Sequence, residues 1–291
     1  ARTERARAAQ RLVIGPWPHW NYQSPLVGEV DMGPEAVLDP TGMRIEWFDR
    51  WLRDLPARDT TPVRIFVMGE NVWRDEQEWP LARTQYTPWF LHANGLLDTA
   101  APLSAGAPDR YTYDPRDPAP SVGGRLLGIG EFAGAFDQLT VEARDDVLVY
   151  TSAELAAPLE LTGPVVVELW ASTSAPDTDF TAKLVDVHTD GRAINLCAGV
   201  VRARHSGAAL PLVPGAVYRF TIDLVATSVV LPAGHRIRLD VSSSSFPEWE
   251  PNPNTGNPIG TDTDADLRPA DQAIFHDPLH PSRVILPVIP R

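Results

Sequence analysis

A histidine that could act as a general base stands near the start of the chain, directly after a short apolar run. Residues 12–14 are Leu-Val-Ile, a pattern typical of a strand buried on both faces of a parallel sheet, and Gly15 and Pro16 end it. His19 follows at once, and reactive groups of open α/β sheets lie in such loops. An imidazole there could take a proton from a serine hydroxyl and pass it to a leaving group. A packed loop histidine fits the same residues.

The elements that must position His19 follow in the order strand, helix, strand. Residues 41–55 carry apolar side chains at helical spacing, which predicts an amphipathic helix packed on a sheet, with Asp39 or Thr41 as its cap. That apolar stripe consists of Trp47, Phe48, Trp51, Leu52 and Leu55. Residues 63–69 form a second apolar run that ends in glycine. This order is the α/β signature, so residues 1–85 are predicted to be the C-terminal end of an α/β domain.

From about residue 86 the helical periodicity gives way to alternation of apolar and polar residues. Residues 218–224 and 236–241 alternate with a period of two, as half-buried strands do. Residues 180–204 contain two such runs around Thr-Asp-Gly, which indicates a hairpin. Many short strands with such turns favour a jelly-roll β-sandwich over residues 86–291. The predicted fold class is therefore α/β plus all-β.

Composition narrows the range of partners. The 291 residues carry a formal net charge of −13, which argues against a nucleic-acid partner because phosphate binding calls for a basic face. No apolar run is long enough for a membrane span, and residues 1–10 lack the apolar centre of a signal peptide. Cys197 is the single cysteine, so no internal disulfide can form, and we expect a buried thiol.

The nucleophile that a histidine base requires has no matching motif in this sequence. A Gly-x-Ser-x-Gly turn, which exposes a serine at a strand end, does not occur. In α/β-hydrolases the triad follows the chain order serine, acid, histidine. Because His19 comes so early, it could only be the last member, and we expect the other two upstream of residue 1.

Residues 15–19 read Gly-Pro-Trp-Pro-His, and seven further motifs follow in order along nearly the whole chain. The first resembles the Gly-Pro-Trp-x-His motif of the CocE/NonD hydrolases, a family of serine esterases and acylases akin to X-Pro dipeptidyl-peptidases, and the others resemble motifs of the same family. The others lie at residues 47–52, 66–74, 113–124, 144–148, 177–187, 234–238 and 280–282.

The resemblance implies a serine hydrolase in which His19 matches the catalytic histidine. The family's serine, aspartate and oxyanion donors match nothing here, so the implied partner is an upstream α/β-hydrolase half, and the chain alone is expected to be inactive. Residues 123–128 resemble a loop that reaches the acyl pocket, which makes Leu127 a candidate for lining it. The implied substrate is a small-molecule ester or amide, with no cofactor, and a homo-oligomer is a further possibility.

Two other functions stay open at this point, a stand-alone jelly-roll module that binds a ligand and one half of a split hydrolase. Carboxylates at residues 177–179 and 261–266 could hold a hard cation, but solvated or turn-capping loops are the favoured interpretation. His276 and His280 are separated by a proline that forbids a helical zinc face, and His235 is interpreted as structural. No metal site is therefore expected.

Overall fold

Strands dominate the computed structural model, which describes residues 3–19, 21–56, 61–126, 132–207 and 211–290. The helices in these ranges are α1 (Glu4–Ala8), α2 (Pro40–Leu52) and α3 (Leu139–Glu142). The strands are β1 (Leu12–Ile14), β2 (Leu26–Val27), β3 (Val30–Asp31), β4 (Val63–Val67), β5 (Val72–Glu76), β6 (Gln85–His92), β7 (Leu96–Asp98), β8 (Asp109–Tyr113), β9 (Leu148–Thr151), β10 (Leu159–Thr173), β11 (Asp179–Val187), β12 (Ala193–Arg202), β13 (Tyr218–Leu231), β14 (Arg236–Ser242), β15 (Ala270–Phe275) and β16 (Arg283–Ile289).

Most of the described strands belong to one large hydrogen-bonded sheet. Its order is β12-β11-β14-β9-β7-β6-β16-β10-β15-β8, with β13 paired to β10. The predicted alternation in β13 is confirmed, since Phe220, Ile222 and Leu224 are buried while the intervening residues are exposed. The largest buried cluster of side chains lies among these strands and contains Phe180 against Phe220, with ring centroids 5.0 Å apart.

The predicted hairpin is also present. β11 and β12 pair antiparallel from Asp179 opposite Arg202 to Val187 opposite Ala193, and the turn between them contains Gly191. The alternation predicted for β14 is wrong at Asp240, which is buried rather than on a solvated face. Asp240 lies directly opposite Lys183 of β11, and both residues line a small pocket of about 20 Å³.

The N-terminal part contains the predicted strand, helix and strand. β1 and β4 are parallel, α2 lies between them in the chain, and β5 adds antiparallel to β4. Asp39 caps α2, because its Oδ1 accepts from the backbone N–H groups of Thr41 and Gly42 at 3.1 and 3.0 Å.

The expected burial of these elements is wrong within this chain. Phe48 and Leu52 of α2 are 56% and 75% exposed, and α2 has no fully buried residue. Leu12 and Ile14 of β1 are exposed as well. The spacing of apolar residues indicates which face of a helix is suited to burial, but it does not indicate whether the described residues bury that face.

The small sheet, formed by β1, β4 and β5, joins the large sheet through backbone contacts at the end of β4. Met68 N–H donates to the Ser228 carbonyl at 3.0 Å, and Val230 N–H donates to the Met68 carbonyl at 2.8 Å. Gly69 follows with a φ of +84°, and a Cβ there would lie 2.2 Å from the Val230 carbonyl oxygen. Only glycine allows so close an approach. Arg74 of β5 adds an ion pair to the buried Glu160 of β10 at 2.7 Å.

No helix in the described part of the chain has the length and apolar character that a membrane crossing requires. The boundary near residue 85 stays a prediction.

We expect Gly69→Ala to lower the free energy of unfolding by about 3 kcal/mol, because it combines an unfavourable positive φ with the displaced contact to Val230. Gly191→Ala is the matched control, since its φ is +93° and its Cβ would meet nothing within 4 Å. That control should lose only about 1 kcal/mol in urea unfolding. Equal losses in the two variants would contradict a tight approach at Gly69.

Candidate active-site cleft

A cleft of about 690 Å³ lies where the small sheet meets the large one. One wall comes from the ends of β1 and β4, including His19 and Met68, and the opposite wall comes from β12 and β13, including Leu196 and Val229. A volume of this size and a largely apolar lining are typical of sites for small organic molecules.

Aromatic packing fixes the loop that carries His19. Trp17 donates its indole N–H to the carbonyl of Ala36, and its ring contacts Tyr22 and Trp73 with centroids 5.6 and 5.5 Å away. A Cβ on Gly15 would lie 2.3 Å from the Trp17 ring, so any larger residue there would displace that ring. Trp17 is therefore the packed residue of this loop, whereas His19 is exposed and lines the cleft.

Two glycine-containing segments border the cleft beside β12. Gly124 and Gly134 exchange backbone hydrogen bonds of 2.8 and 2.9 Å, and Gly123 and Ala133 also line the cleft. Leu127, the other predicted site residue, lies outside the described residues, so its role stays a prediction.

An amide network that the sequence analysis missed holds these segments against the sheet. Asn195 Oδ1 accepts from Phe136 N–H at 2.7 Å, and its Nδ2 donates to the Gly134 carbonyl at 3.1 Å. Gln138 Nε2 donates to the Val122 carbonyl at 2.9 Å, and Gln138 Oε1 accepts from Lys183 Nζ at 2.5 Å. The one sequence feature that could have drawn attention to this network was Lys183, which is the only lysine of the chain.

Several ionisable groups near the cleft are perturbed by burial. Desolvation raises the pKa of Asp240 to about 7 and lowers the pKa of Lys183. Desolvation also raises the pKa of Cys197 to about 12, so this cleft-lining thiol stays protonated at neutral pH and is a poor nucleophile.

The acidic segment at residues 177–179 is not solvated, contrary to the favoured sequence interpretation. Asp177 and Asp179 are buried and form ion pairs with Arg204 and Arg202 at 2.5 and 2.8 Å. Each carboxylate is thus neutralised by an arginine, which leaves it a poor ligand for a hard cation.

The remaining candidate ligands are held apart in separate contacts. In the second acidic segment, Asp266 caps its own turn by accepting from Thr263 N–H at 2.9 Å. His276 lies 3.2 Å from Asp109, and His280 lies 3.2 Å from Asp277. These two histidines therefore have different carboxylate partners.

Residues 57–285, most of the chain, match the family model described as the X-Pro dipeptidyl-peptidase C-terminal non-catalytic domain. The chain belongs to this family. His19 lies before the region that matches the family model.

Similarity to whole hydrolases extends over the His19 segment too. The chain is 43% identical over 300 residues to cocaine esterase from Rhodococcus sp. (strain MB1 Bresler), covering 98% of this chain and 52% of that enzyme. The resemblance to the CocE/NonD hydrolases is thereby confirmed. The chain spans about half the length of the curated relatives it matches.

Solved structures show the same relationship. An aminopeptidase from a marine sediment Thaumarchaeota archaeon superposes with a TM-score of 0.86 at 28% identity, covering 97% of this chain and 49% of that one. An α-amino acid ester hydrolase superposes with a TM-score of 0.83 at 29% identity, covering 96% of this chain and 50% of that one. The mostly β fold is therefore that of the C-terminal part of these hydrolases.

The buried Asp240 should make the free energy of unfolding decrease as the pH rises. Its pKa is about 7 in the folded state against an ordinary value of 3.8, so between these values the folded chain holds a proton that the unfolded chain has released. The free energy of unfolding then decreases from about pH 4 to about pH 7. We expect Asp240→Asn to flatten this slope in urea titrations across that range. Asp145→Asn, at an exposed position, should leave the slope unchanged, and an equal effect of both variants would contradict the prediction.

Proposed function

We propose that this chain is the C-terminal portion of a serine hydrolase that cleaves small-molecule esters or amides. In this proposal residues 1–85 are the end of an α/β-hydrolase domain, residues 86–291 are a jelly roll, and the triad serine and aspartate come from an upstream half. The observation that carries the proposal is the position of His19, which follows a parallel strand and is exposed in a cleft of about 690 Å³.

The chemistry follows from what a neutral imidazole can do at that position. His19 takes the proton of the serine hydroxyl as the oxygen attacks the substrate carbonyl, and then delivers that proton to the departing alcohol or amine. A water enters, and His19 removes its proton as the water oxygen attacks the acyl carbonyl. The acyl–serine bond then breaks, His19 returns the proton to the serine oxygen, and the acid product leaves. Leu127 is proposed to line the acyl pocket. Relatives named as a cocaine esterase and an α-amino acid ester hydrolase support acyl transfer as the reaction class.

Exposed apolar side chains on β1 and α2 are proposed to supply the docking surface for the upstream half. They are Leu12 and Ile14 of β1 and Ile45, Phe48 and Leu52 of α2. Apolar patches of this kind are uncommon on monomers and mark interaction sites. Among the described strands β1 pairs with β4 alone, so its other edge is available to a further parallel strand. The match covers 52% of cocaine esterase, which leaves about half of that enzyme's length for an upstream half.

The structure favours this hydrolase over a stand-alone ligand-binding module. A module would need no exposed histidine at the cleft on a loop fixed by aromatic packing, and it would have no reason to expose the apolar side chains of α2. A split hydrolase differs from the proposal only in whether the two halves are joined by a peptide bond.

With the upstream half restored, His19→Ala should lower kcat for p-nitrophenyl butyrate by about 10⁴-fold or more, since triad members act as a unit. The melting temperature should change little because His19 is exposed. The exposed His205 provides the control, and His205→Ala should retain full turnover. The chain without the upstream half should show no hydrolysis above background. A folded His19→Ala variant with near-full turnover would remove the basis for the proposed active site.

Association of the separately produced halves tests the docking surface. The double substitution Phe48→Ser and Leu52→Ser should weaken their affinity, measured by analytical ultracentrifugation, by at least about tenfold, because it removes two large apolar contacts. Leu103→Ser is the control, since Leu103 is 94% exposed outside this face. Unchanged affinity in the double variant, or self-association of the chain through this face, would contradict docking of the upstream half.

A further inference from the structure

Three side chains that the proposed hydrolysis does not use converge on the wall of the cleft. Asp186 lies near the end of β11, His188 in the turn that follows, and His235 directly before β14. One ligand atom from each lies within 4.8 Å of the others. Asp186 Oδ1 is 2.8 Å from His235 Nδ1, and Asp186 Oδ2 is 3.3 Å from His188 Nε2. We propose that Asp186, His188 and His235 form a binding site for one divalent transition-metal ion of the Zn²⁺ class.

The backbone holds the two imidazoles on the same side of a strand pair. β11 and β14 are antiparallel, with Asp186 opposite Ile237 and Val187 opposite Arg236, so His188 and His235 occupy the next positions along the two chains. His188 N–H donates to the Arg192 carbonyl at 2.8 Å, and the His235 carbonyl accepts from Leu155 N–H at 2.8 Å. The rings pack with centroids 4.5 Å apart. Ligands on paired strands are preorganised, because their separation is set by the ladder.

Burial and charge also suit a cation. Asp186 is buried, while both histidines are half-buried and all three residues line the cleft, so an ion can reach them from solvent. The neighbouring arginines are neutralised by other carboxylates. Arg192 pairs with Asp190 at 2.9 Å, and Arg236 pairs with Glu154 at 2.8 Å. The Asp186 carboxylate is therefore left to balance the charge of a metal ion.

Two imidazole nitrogens and one carboxylate oxygen are a common ligand set for Zn²⁺ and related ions. The atoms that bond to one another in the structure are the atoms that would bind the ion, so metal binding would replace the two histidine–aspartate contacts. Three protein ligands leave a coordination position for water or a small anion, and here that position faces the cleft.

This inference is independent of the proposed hydrolysis, because it uses neither His19 nor an upstream half. It departs from the sequence-based expectation that the chain has no metal ligands and that His235 is structural. Asp186 and His235 are 49 residues apart in the sequence, and strand pairing alone brings them together.

Calorimetric titration of the metal-free full chain with ZnCl₂ tests the site. We expect one Zn²⁺ per chain and a rise in melting temperature with Zn²⁺ concentration, because an ion that binds only the folded state stabilises it. Asp186→Asn and His235→Gln should each weaken binding by at least about tenfold, since each removes one of three ligands. His205→Ala should bind like the wild type. Bound Co²⁺ should give visible ligand-field absorption that Asp186→Asn abolishes.

Two results would overturn the proposal. One is the lack of stoichiometric Zn²⁺ binding by the wild-type chain. The cluster would then be a hydrogen-bonded triad, and a lower melting temperature of the variants without metal would support that structural role. The other is unchanged Zn²⁺ affinity in the variants, which would place binding elsewhere. If Asp186→Asn does not fold, His188→Gln carries the same test, because His188 is in a turn and is half-buried.

Discussion

The cleft depends on the backbone contact between the end of β4 and β13. Met68 N–H donates to the Ser228 carbonyl, the Met68 carbonyl accepts from Val230 N–H, and these two hydrogen bonds dock the small sheet against the large one. Gly69 makes the approach possible because a side chain there would collide with the Val230 carbonyl. This contact sets the distance between the loop that carries His19 and the wall formed by β12 and β13. Both the proposed hydrolysis and the proposed metal site use surfaces that this docking brings to one cavity.

The wall of the cleft is held by buried polar groups rather than by apolar packing alone. Asn195 and Gln138 satisfy backbone groups of the glycine-containing segments, and Lys183 connects that network to Asp240 below the surface. Burying such a network lowers the free energy of unfolding unless its polar groups are paired. Neither carboxylate oxygen of Asp240 accepts a hydrogen bond from a described residue. Desolvation of this buried carboxyl raises the pKa of Asp240 to about 7, and the nearby charge of Lys183 offsets only part of that rise.

The exposed apolar side chains of α2 and β1 are consistent with the greater length of the hydrolases that this chain resembles. A helix with an apolar stripe gains most of its stability by burying that stripe, and α2 keeps Phe48 and Leu52 in contact with solvent. In the proposed hydrolase, this is the surface that the upstream half buries. The aromatic contacts of Trp17 meanwhile hold the His19 loop within this chain.

The sequence by itself determined the local elements and their order. Alternation identified β13 and the β11–β12 hairpin, the capping candidates Asp39 and Thr41 marked the start of α2, and the motif around His19 indicated the family, because these features depend on neighbouring residues. Only the tertiary structure decided what covers each element. It left the stripe of α2 exposed, buried Asp240 where alternation predicted solvent, and paired Asp177 and Asp179 with arginines. It also brought His235 to Asp186 and His188. Such outcomes depend on contacts between residues far apart in the chain, which composition and spacing do not encode.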